Sequence, residues 1–300
     1  MSRSTIYDDL AFGEAPRWHD GRLWLSDIFA KRVVAVGLDG RAEVVCELDD
    51  HPSGLGWLPD GRMLVTSMLD RRILRLDRTG PGRADLVEHA DLREVCPGNC
   101  NDMVVDGRGN AYVGNTGYEY LYRGQPVPVR TSTSLVLVTP DGEVRRQPGT
   151  LMFPNGCGVT ADGRTLVVAQ SHAGRLTAYE IRDDGSLVGE RVFAQLPAGR
   201  DNPDGICIDE EGAVWMADPH HKCCVRILDG GQITHIVDTA PFETVACALG
   251  GEDRRTLFLV LAPDRNEPGA VRFALGDSPA EARPGRVDAM EVDVPGAGWP

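Results

Sequence analysis

The chain has 300 residues, 42% hydrophobic and 25% charged, enough for one large hydrophobic core or two modest ones. Its 45 acidic and 31 basic side chains give a formal charge of -14, which opposes attraction to nucleic-acid phosphates or anionic lipid. No apolar run approaches the roughly 18 residues of a spanning helix, and the opening MSRSTIYDDLAF lacks signal-peptide character. The sequence therefore predicts a cytoplasmic protein without nucleic-acid or membrane partners.

Eight cysteines are scattered along the chain without CxxC spacing. This distribution predicts reduced, mostly buried thiols rather than a disulfide framework or a zinc knuckle. Cys223 and Cys224 are adjacent, so on a strand they point to opposite faces, and at most one of them is expected to be exposed.

One hairpin pattern recurs six times along the chain. Each copy is a short apolar strand, a tight turn and a second apolar strand, and the turns lie 40 to 54 residues apart. The aligned turn residues are Gly21, Gly61, Gly109, Gly163, Gly212 and Arg254. Such a period fits four strands per unit.

Further alternating segments, such as KRVVAVGLDGRAEVV and CVRILDGGQITHIV, lie between the copies and have the pattern of an outer hairpin. Long helical periodicity is absent from the sequence. We therefore predict an all-β fold, a single six-bladed β-propeller over residues 1–300 with four antiparallel strands per blade. The N-terminal STIYDDLAF is expected to pair with VDAMEVDV in the last blade and close the ring.

The first strand of each blade lines the channel of a propeller, so equivalent positions converge near its axis. Eight positions before the turn, the copies carry Ser53, Asn101, Asn155, Asp204 and Ala246, and the shorter first copy carries Glu14 seven positions before its turn. Buried carboxylates are costly unless they are paired, and a cation would neutralise them. The pattern predicts a metal site in the channel with Glu14, Asn155 and Asp204 as ligands and Asn101 nearby.

These ligand atoms are all oxygens, which favours calcium, magnesium or manganese over a thiolate-preferring metal, with zinc and iron(II) left open. Taken singly, Asn155-Gly156 and Asp204-Gly205 have the sequence of turns, and only their common register favours a site. Asp102 is not counted as a ligand, because its side chain should point away from that of Asn101 on a strand.

Four segments carry a family resemblance: GEAPRW from Gly13, NDMVVDGRGNAYVGN from Asn101, FPNGCGVTADGRTLVVAQS from Phe153 and PDGICIDEEGAVWMAD from Pro203. Over nearly its whole length the chain resembles the regucalcin/gluconolactonase (senescence marker protein) family. The resemblance implies a six-bladed propeller with one divalent metal held by Glu14, Asn155 and Asp204. It also implies Asp204 as general base and Asn101 as a substrate-side or metal-side asparagine. Members of that family hydrolyse sugar lactones and related esters.

One residue departs from the family pattern. Sugar-lactone members tend to carry an Arg two residues before the motif Asn, and this chain has Asn99 there. A lactone with few hydroxyls is therefore expected as the substrate. The pocket mouth is expected to include residues at strand ends or in loops, each of which could equally be an ordinary loop residue: His51, Asn99, Tyr118, Tyr120, His172 and His220.

The sequence contains no GxSxG elbow, HExxH motif or Walker loop. The leading hypothesis is a metal-dependent hydrolase of the carboxylic ester class, most simply a lactonase acting on a small molecule. In it the ion polarises the carbonyl, and Asp204 or a water on the ion supplies the nucleophile. The alternatives are phosphotriester hydrolysis, isomerisation of a small carbonyl compound on the same scaffold, and a non-catalytic propeller that binds calcium or a protein partner.

Overall fold

The computed structural model describes residues 3–80, 83–119, 131–200, 202–265 and 285–298. These residues form six four-stranded antiparallel sheets. The innermost strand of each sheet contacts the innermost strands of the two neighbouring sheets, so the six sheets close into a ring. This arrangement confirms the six-bladed β-propeller that the repeat pattern predicts.

The strands are numbered β1 to β24 along the chain, and each blade runs from the channel outwards. Blade 1 is β2 Gly13–His19, β3 Arg22–Asp27, β4 Arg32–Val36 and β5 Ala42–Glu47, and blade 2 is β6 Pro52–Trp57, β7 Met63–Ser67, β8 Arg72–Gly80 and β9 Arg83–Asp91. Blade 3 is β10 Cys100–Val105, β11 Ala111–Asn115, β12 Val136–Val138 and β13 Val144–Arg146, and blade 4 is β14 Pro154–Val159, β15 Thr165–Gln170, β16 Arg175–Ile181 and β17 Leu187–Gln195. Blade 5 is β18 Ile206–Ile208, β19 Val214–Asp218, β20 Cys223–Ile227 and β21 Ile233–Asp238, and blade 6 is β22 Glu243–Gly250, β23 Thr256–Ala262, β24 Gly285–Glu291 and β1 Ser4–Leu10.

The ring closes as predicted, because the N-terminal strand completes the last blade. The N-terminal strand β1 is the outermost strand of blade 6 and pairs antiparallel with β24, with Ser4 opposite Ala289 and Thr5 opposite Asp288. Because the first strand, β1, and the last strand, β24, lie in one sheet, opening the ring there requires breaking that sheet.

The core lies between the blades rather than in one central mass. A cluster of buried apolar side chains fills each of the six interfaces between neighbouring sheets. Between blades 4 and 5, for example, Val167 and Leu176 pack with Ile206 and Met216. Each sheet packs against a neighbouring sheet on both of its faces, which explains why the middle strands are continuously hydrophobic.

Glycines allow the inner strands to approach one another near the axis. A Cβ on Gly156 would lie 2.4 Å from the backbone nitrogen of Ile206, and one on Gly54 would lie 2.4 Å from that of Met103. Gly156 lies within β14, and Gly205 directly precedes β18, so neither glycine serves a hairpin turn. The Asn-Gly and Asp-Gly pairs are therefore part of the channel wall.

All eight cysteines are free. Six of them are buried, Cys223 and Cys224 included, and Cys46 and Cys207 are half-buried, which confirms the predicted reduced and mostly buried thiols. Helical structure in the described ranges is limited to the 3-10 turn Pro219–His221 after β19, and no helix among these residues is long and apolar enough to cross a membrane.

Candidate functional site

The register of each inner hairpin identifies one residue per blade in a ring around the channel mouth. In blade 2, Pro52 pairs with Ser67 at the end of the second strand, and the next residue, Ser53, belongs to the ring. The ladders of blades 1, 3, 4 and 6 show the same relation, and in blade 5 the backbone nitrogen of Asp204 donates to the carbonyl of Ala217 in the second strand at 3.1 Å. The ring consists of Glu14, Ser53, Asn101, Asn155, Asp204 and Thr244.

The sixth ring residue differs from the prediction. Counting back from the turn predicts Ala246, but Glu243 pairs with Ala262 at the end of β23, so Thr244 occupies the ring. The count fails because β22 has eight residues where β6 has six, which lengthens the hairpin towards its turn. The correction also brings Glu243, a buried carboxylate, next to the ring.

Asn155 and Asp204 are in direct contact across blades 4 and 5. The Asn155 Nδ2 donates to Asp204 Oδ1 at 2.6 Å and to Ser171 Oγ at 3.1 Å. Ser171 Oγ in turn donates to the carbonyl of Pro203 at 2.8 Å. These bonds occupy the amide nitrogen of Asn155, so neither of them uses its amide oxygen.

Glu14 lies at the same mouth in blade 1, where its Oε2 accepts a bond from the backbone nitrogen of Ala15 at 3.2 Å. Ala15 has a φ of 48° and Phe153, just before β14, a φ of 57°. Residues with a Cβ seldom adopt this left-handed conformation, and such strain clusters at functional sites. Both strained residues lie within two positions of a predicted metal ligand.

The carboxylates of this mouth disfavour one another's charge. Burial raises the pKa of Glu14 well above its usual range, and the charges of Asp204 and Asp102 raise it further. Burial also raises the pKa of Asp204, to about 7, while the Arg265 charge and the Asn155 hydrogen bond oppose the rise. A cation bound between Glu14 and Asp204 would favour the charged form of both side chains.

The donor set suits a hard divalent cation. Two carboxylates and one amide oxygen are oxygen ligands of the kind that calcium, magnesium and manganese prefer. Within the described ranges no three His, Cys, Asp or Glu side chains form a group that could hold a metal.

Below the ring the channel contains a buried ion pair. Arg17 Nη2 lies 2.8 Å from Asp102 Oδ1 and 2.5 Å from the carbonyl of Met103, and both charged side chains are only 6% exposed. The Asp102 carboxylate is therefore engaged by Arg17.

Local hydrogen bonds hold the residues of blades 2 and 3 that the sequence predicts at the pocket mouth or near the metal site. His51 is buried, and its Nδ1 lies 2.9 Å from Asp50 Oδ1. Asn99 is buried, and its backbone nitrogen donates to Thr116 Oγ1 at 3.0 Å. Asn101 is half-buried in the ring, with its carbonyl accepting from Thr66 Oγ1 at 3.0 Å.

Tyr118 and His172 belong to an aromatic wall at the same end of the blades. The rings of Phe153 and His172 stack at 4.8 Å, and those of Tyr118 and His172 at 6.0 Å. Tyr120, which was also predicted at the mouth, lies outside the described residues.

His220 leads to a pair of residues that the sequence did not indicate. It is exposed in the 3-10 turn after β19, and its Nε2 lies 3.1 Å from Nη1 of Arg265. Arg265 also pairs with Glu243. Only the corrected register of blade 6 could have pointed to Glu243, because its neighbour Thr244 then falls in the ring.

With the fold and this mouth established, comparison with known proteins identifies the family. A model described as the SMP-30/Gluconolactonase/LRE-like region matches residues 12–263, and the chain belongs to this family. The resemblance seen in the sequence motifs is thereby confirmed.

Two of its relatives bear the names of lactonases. Pentonolactonase XacC of Haloferax volcanii is 25% identical over 259 residues, which cover 83% of this chain and 81% of that protein. The 6-deoxy-6-sulfogluconolactonase of Pseudomonas putida is 26% identical over 293 residues, or 96% of this chain and 94% of that protein.

Solved structures share the fold. A calcium-binding protein, regucalcin, from Agrobacterium tumefaciens superposes with a TM-score of 0.78 at 21% identity, covering 97% of this chain and 94% of that one. A gluconolactonase from Xanthomonas campestris gives a TM-score of 0.73 at 23% identity, covering 98% and 89% of the two chains. At these identities the likeness supports the architecture.

Proposed function

We propose that the protein is a divalent-metal-dependent lactonase that opens the ring of a small lactone by hydrolysis. The observation that carries this proposal is the convergence of Glu14, Asn155 and Asp204 on one channel mouth, with Asn155 and Asp204 in contact at 2.6 Å. Membership of the family and the lactonase names of two relatives support the reaction class.

Glu14, Asn155 and Asp204 are the residues that would hold the metal. A bound divalent ion would polarise the lactone carbonyl and stabilise negative charge on its oxygen. Calcium is the first expectation, with magnesium, manganese, zinc and iron(II) as the other candidates.

Asp204 is the proposed general base that takes a proton from the attacking water. Burial raises the pKa of metal-free Asp204 to about 7, and a bound cation would lower this pKa and keep the carboxylate in the charged form that accepts a proton. The bond from Asn155 Nδ2 fixes the direction of the carboxylate. Ser171 holds Asn155 in turn, so the base is positioned by two neighbouring blades.

The surroundings limit where water and substrate can enter. Below the ring, Arg17 donates hydrogen bonds across the channel to Asp102 and to the carbonyl of Met103. The substrate therefore approaches from the mouth that carries the ring, between the aromatic wall of blades 3 and 4 and the His220 turn of blade 5.

Hydrolysis of a lactone panel before and after metal removal tests the proposal. We expect the isolated protein to contain one divalent ion per chain, to lose activity on chelation and to recover it when a divalent ion is returned. Full activity in metal-free protein would contradict the mechanism. A bound ion without turnover of any lactone would favour the non-catalytic, phosphotriesterase or isomerase alternatives, which a phosphotriester and an isomerase assay then separate.

A further inference from the structure

A buried carboxylate fixes one arginine at the channel mouth. Nε of Arg265 lies 2.9 Å from Glu243 Oε1, and its Nη2 lies 2.9 Å from Oε2. The backbone nitrogen of Arg265 also donates to Oε1, at 3.2 Å. Two parallel bonds between a guanidinium and a carboxylate fix its plane as well as its position. The side chain of Glu243 is 7% exposed and that of Arg265 is 43% exposed, so the arginine is both oriented and accessible.

The position of this arginine is beside the proposed base. Glu243 directly precedes Thr244, the ring residue of blade 6, and blade 5 contributes Asp204 to the same ring. His220, which contacts Nη1 of Arg265, follows the second strand of blade 5. The guanidinium thus bridges blades 5 and 6 at the end of the channel where Asp204 lies.

The segment that carries Arg265 is held at a second point. Lys222 Nζ lies 2.6 Å from Asp264 Oδ2, so this segment contacts the 3-10 turn at His220 and the residue that follows the turn, Lys222. An arginine held at its backbone, its side chain and its neighbour loses little further freedom when it binds a ligand.

We propose that Arg265 determines substrate specificity by donating hydrogen bonds to a hydroxyl oxygen on the lactone ring. This inference rests on the proposed lactonase function. Glu14, Asp204 and Glu243 make the mouth acidic, so a neutral hydroxyl suits it better than a second anion. Arg265 would supply, from blade 6, a guanidinium that Asn99 in blade 3 does not provide.

Asn99 cannot take the place of the Arg265 guanidinium. Its side chain is a neutral amide, and the residue is only 3% exposed, with its backbone held by Thr116 on both sides. A guanidinium gives charge-assisted bonds in a fork, which an amide does not.

Two substrates that differ by one hydroxyl test the inference: γ-butyrolactone and α-hydroxy-γ-butyrolactone, with wild type, Arg265→Ala and Arg265→Lys. For the hydroxylated lactone we expect Arg265→Ala to lower kcat/KM by about 10- to 100-fold, mostly through KM, as for loss of a hydrogen bond to a charged group. For the plain lactone the loss should stay below about threefold. Arg265→Lys should fall between wild type and Arg265→Ala on the hydroxylated lactone, because it keeps the charge without the fork.

Arg254→Ala is the matched control, since Arg254 is also 43% exposed and paired with a glutamate, Glu210, at the far end of blade 6. Its kinetics should match wild type on both lactones. Equal losses of Arg265→Ala on the two lactones, or no loss on either, would overturn the inference while leaving the lactonase proposal intact. If wild type opens neither lactone nor any other in the panel, the proposed function itself is wrong and the inference with it.

Discussion

Asn155 Nδ2 donates a 2.6 Å hydrogen bond to Asp204 Oδ1 and so joins the inner strands of blades 4 and 5 at the channel mouth. The bond fixes the carboxylate that the mechanism uses as base. It also orients the amide whose oxygen is proposed as a metal ligand. A change that disturbs Asn155 should therefore affect metal binding and catalysis together.

Ser171 is the first test of that coupling. Ser171→Ala removes the Oγ that accepts from Asn155 Nδ2, and loss of such a supporting bond typically lowers metal affinity by about 10- to 100-fold. We expect this loss in calorimetric titration with the divalent ion. Ser186→Ala, which removes a hydroxyl bonded to Asp184 in the tip of the β16–β17 hairpin, should bind metal as wild type does. Equal affinity of both variants would show that Asn155 needs no support.

The close approach of inner strands should make Gly156 intolerant of a side chain. Gly156→Ala places a Cβ 2.4 Å from the Ile206 backbone nitrogen, and such overpacking costs about 1 to 3 kcal/mol of unfolding free energy. Gly37→Ala is the control, because its Cβ would meet only the tip of the Asp39 side chain within 3 Å. Urea unfolding of the two variants measures the difference. Comparable stability would mean that the blades can separate at the axis.

The Arg17–Asp102 pair should be costly to break from one side. Arg17→Met leaves a buried carboxylate beside Glu14 and Asp204, and removing one partner of a buried pair costs about 3 to 5 kcal/mol. Removing both charges in Arg17→Met/Asp102→Asn should cost less than the sum of the two single changes. Arg145→Met breaks an exposed pair with Glu143 and should leave the melting temperature unchanged. If the cost of the double variant in unfolding free energy equals the sum of the two single costs, Arg17 and Asp102 are not directly coupled.

The metal-free protein should lose stability as the pH rises. Because folding raises the pKa of Asp204 to about 7, the folded state binds more protons than the unfolded state between about pH 4 and pH 7. The resulting stability is present at low pH and is lost as the pH passes through about 7. Melting temperatures of chelated wild type should therefore decline over this range more steeply than those of Asp204→Asn. Parallel profiles would show that Asp204 is already charged at low pH.

Much of the architecture could be predicted because its signals are local. Turn glycines at a regular spacing and alternating apolar strands fix the number of blades, and the pairing of β1 with β24 follows from the last free strand needing a partner. Four of the six ring residues also follow from a count of eight positions back from the turn, and Glu14 follows from a count of seven in the shorter first copy.

The rest depends on three-dimensional contacts. The longer β22–β23 hairpin shifts the register of blade 6 by two residues, which no turn signal reveals, so Thr244 and Glu243 were missed. Arg265 follows the strand β23 and is held at the mouth by its bonds to Glu243 and His220. Asn155-Gly156 looks like a turn in sequence, and only the packing of Gly156 against Ile206 shows why a glycine is needed inside a strand.

The central claim is that Asp204 is both a metal ligand and the base, whereas Glu14 is a ligand alone. The most direct measurement is kcat for lactone hydrolysis at saturating divalent ion, compared between Asp204→Asn and Glu14→Gln. We expect saturating metal to restore most of the rate of Glu14→Gln, while Asp204→Asn stays about two to four powers of ten below wild type, as for loss of a positioned base. Rescue of Asp204→Asn by metal as complete as that of Glu14→Gln would contradict the account, because Asp204 would then be a ligand only.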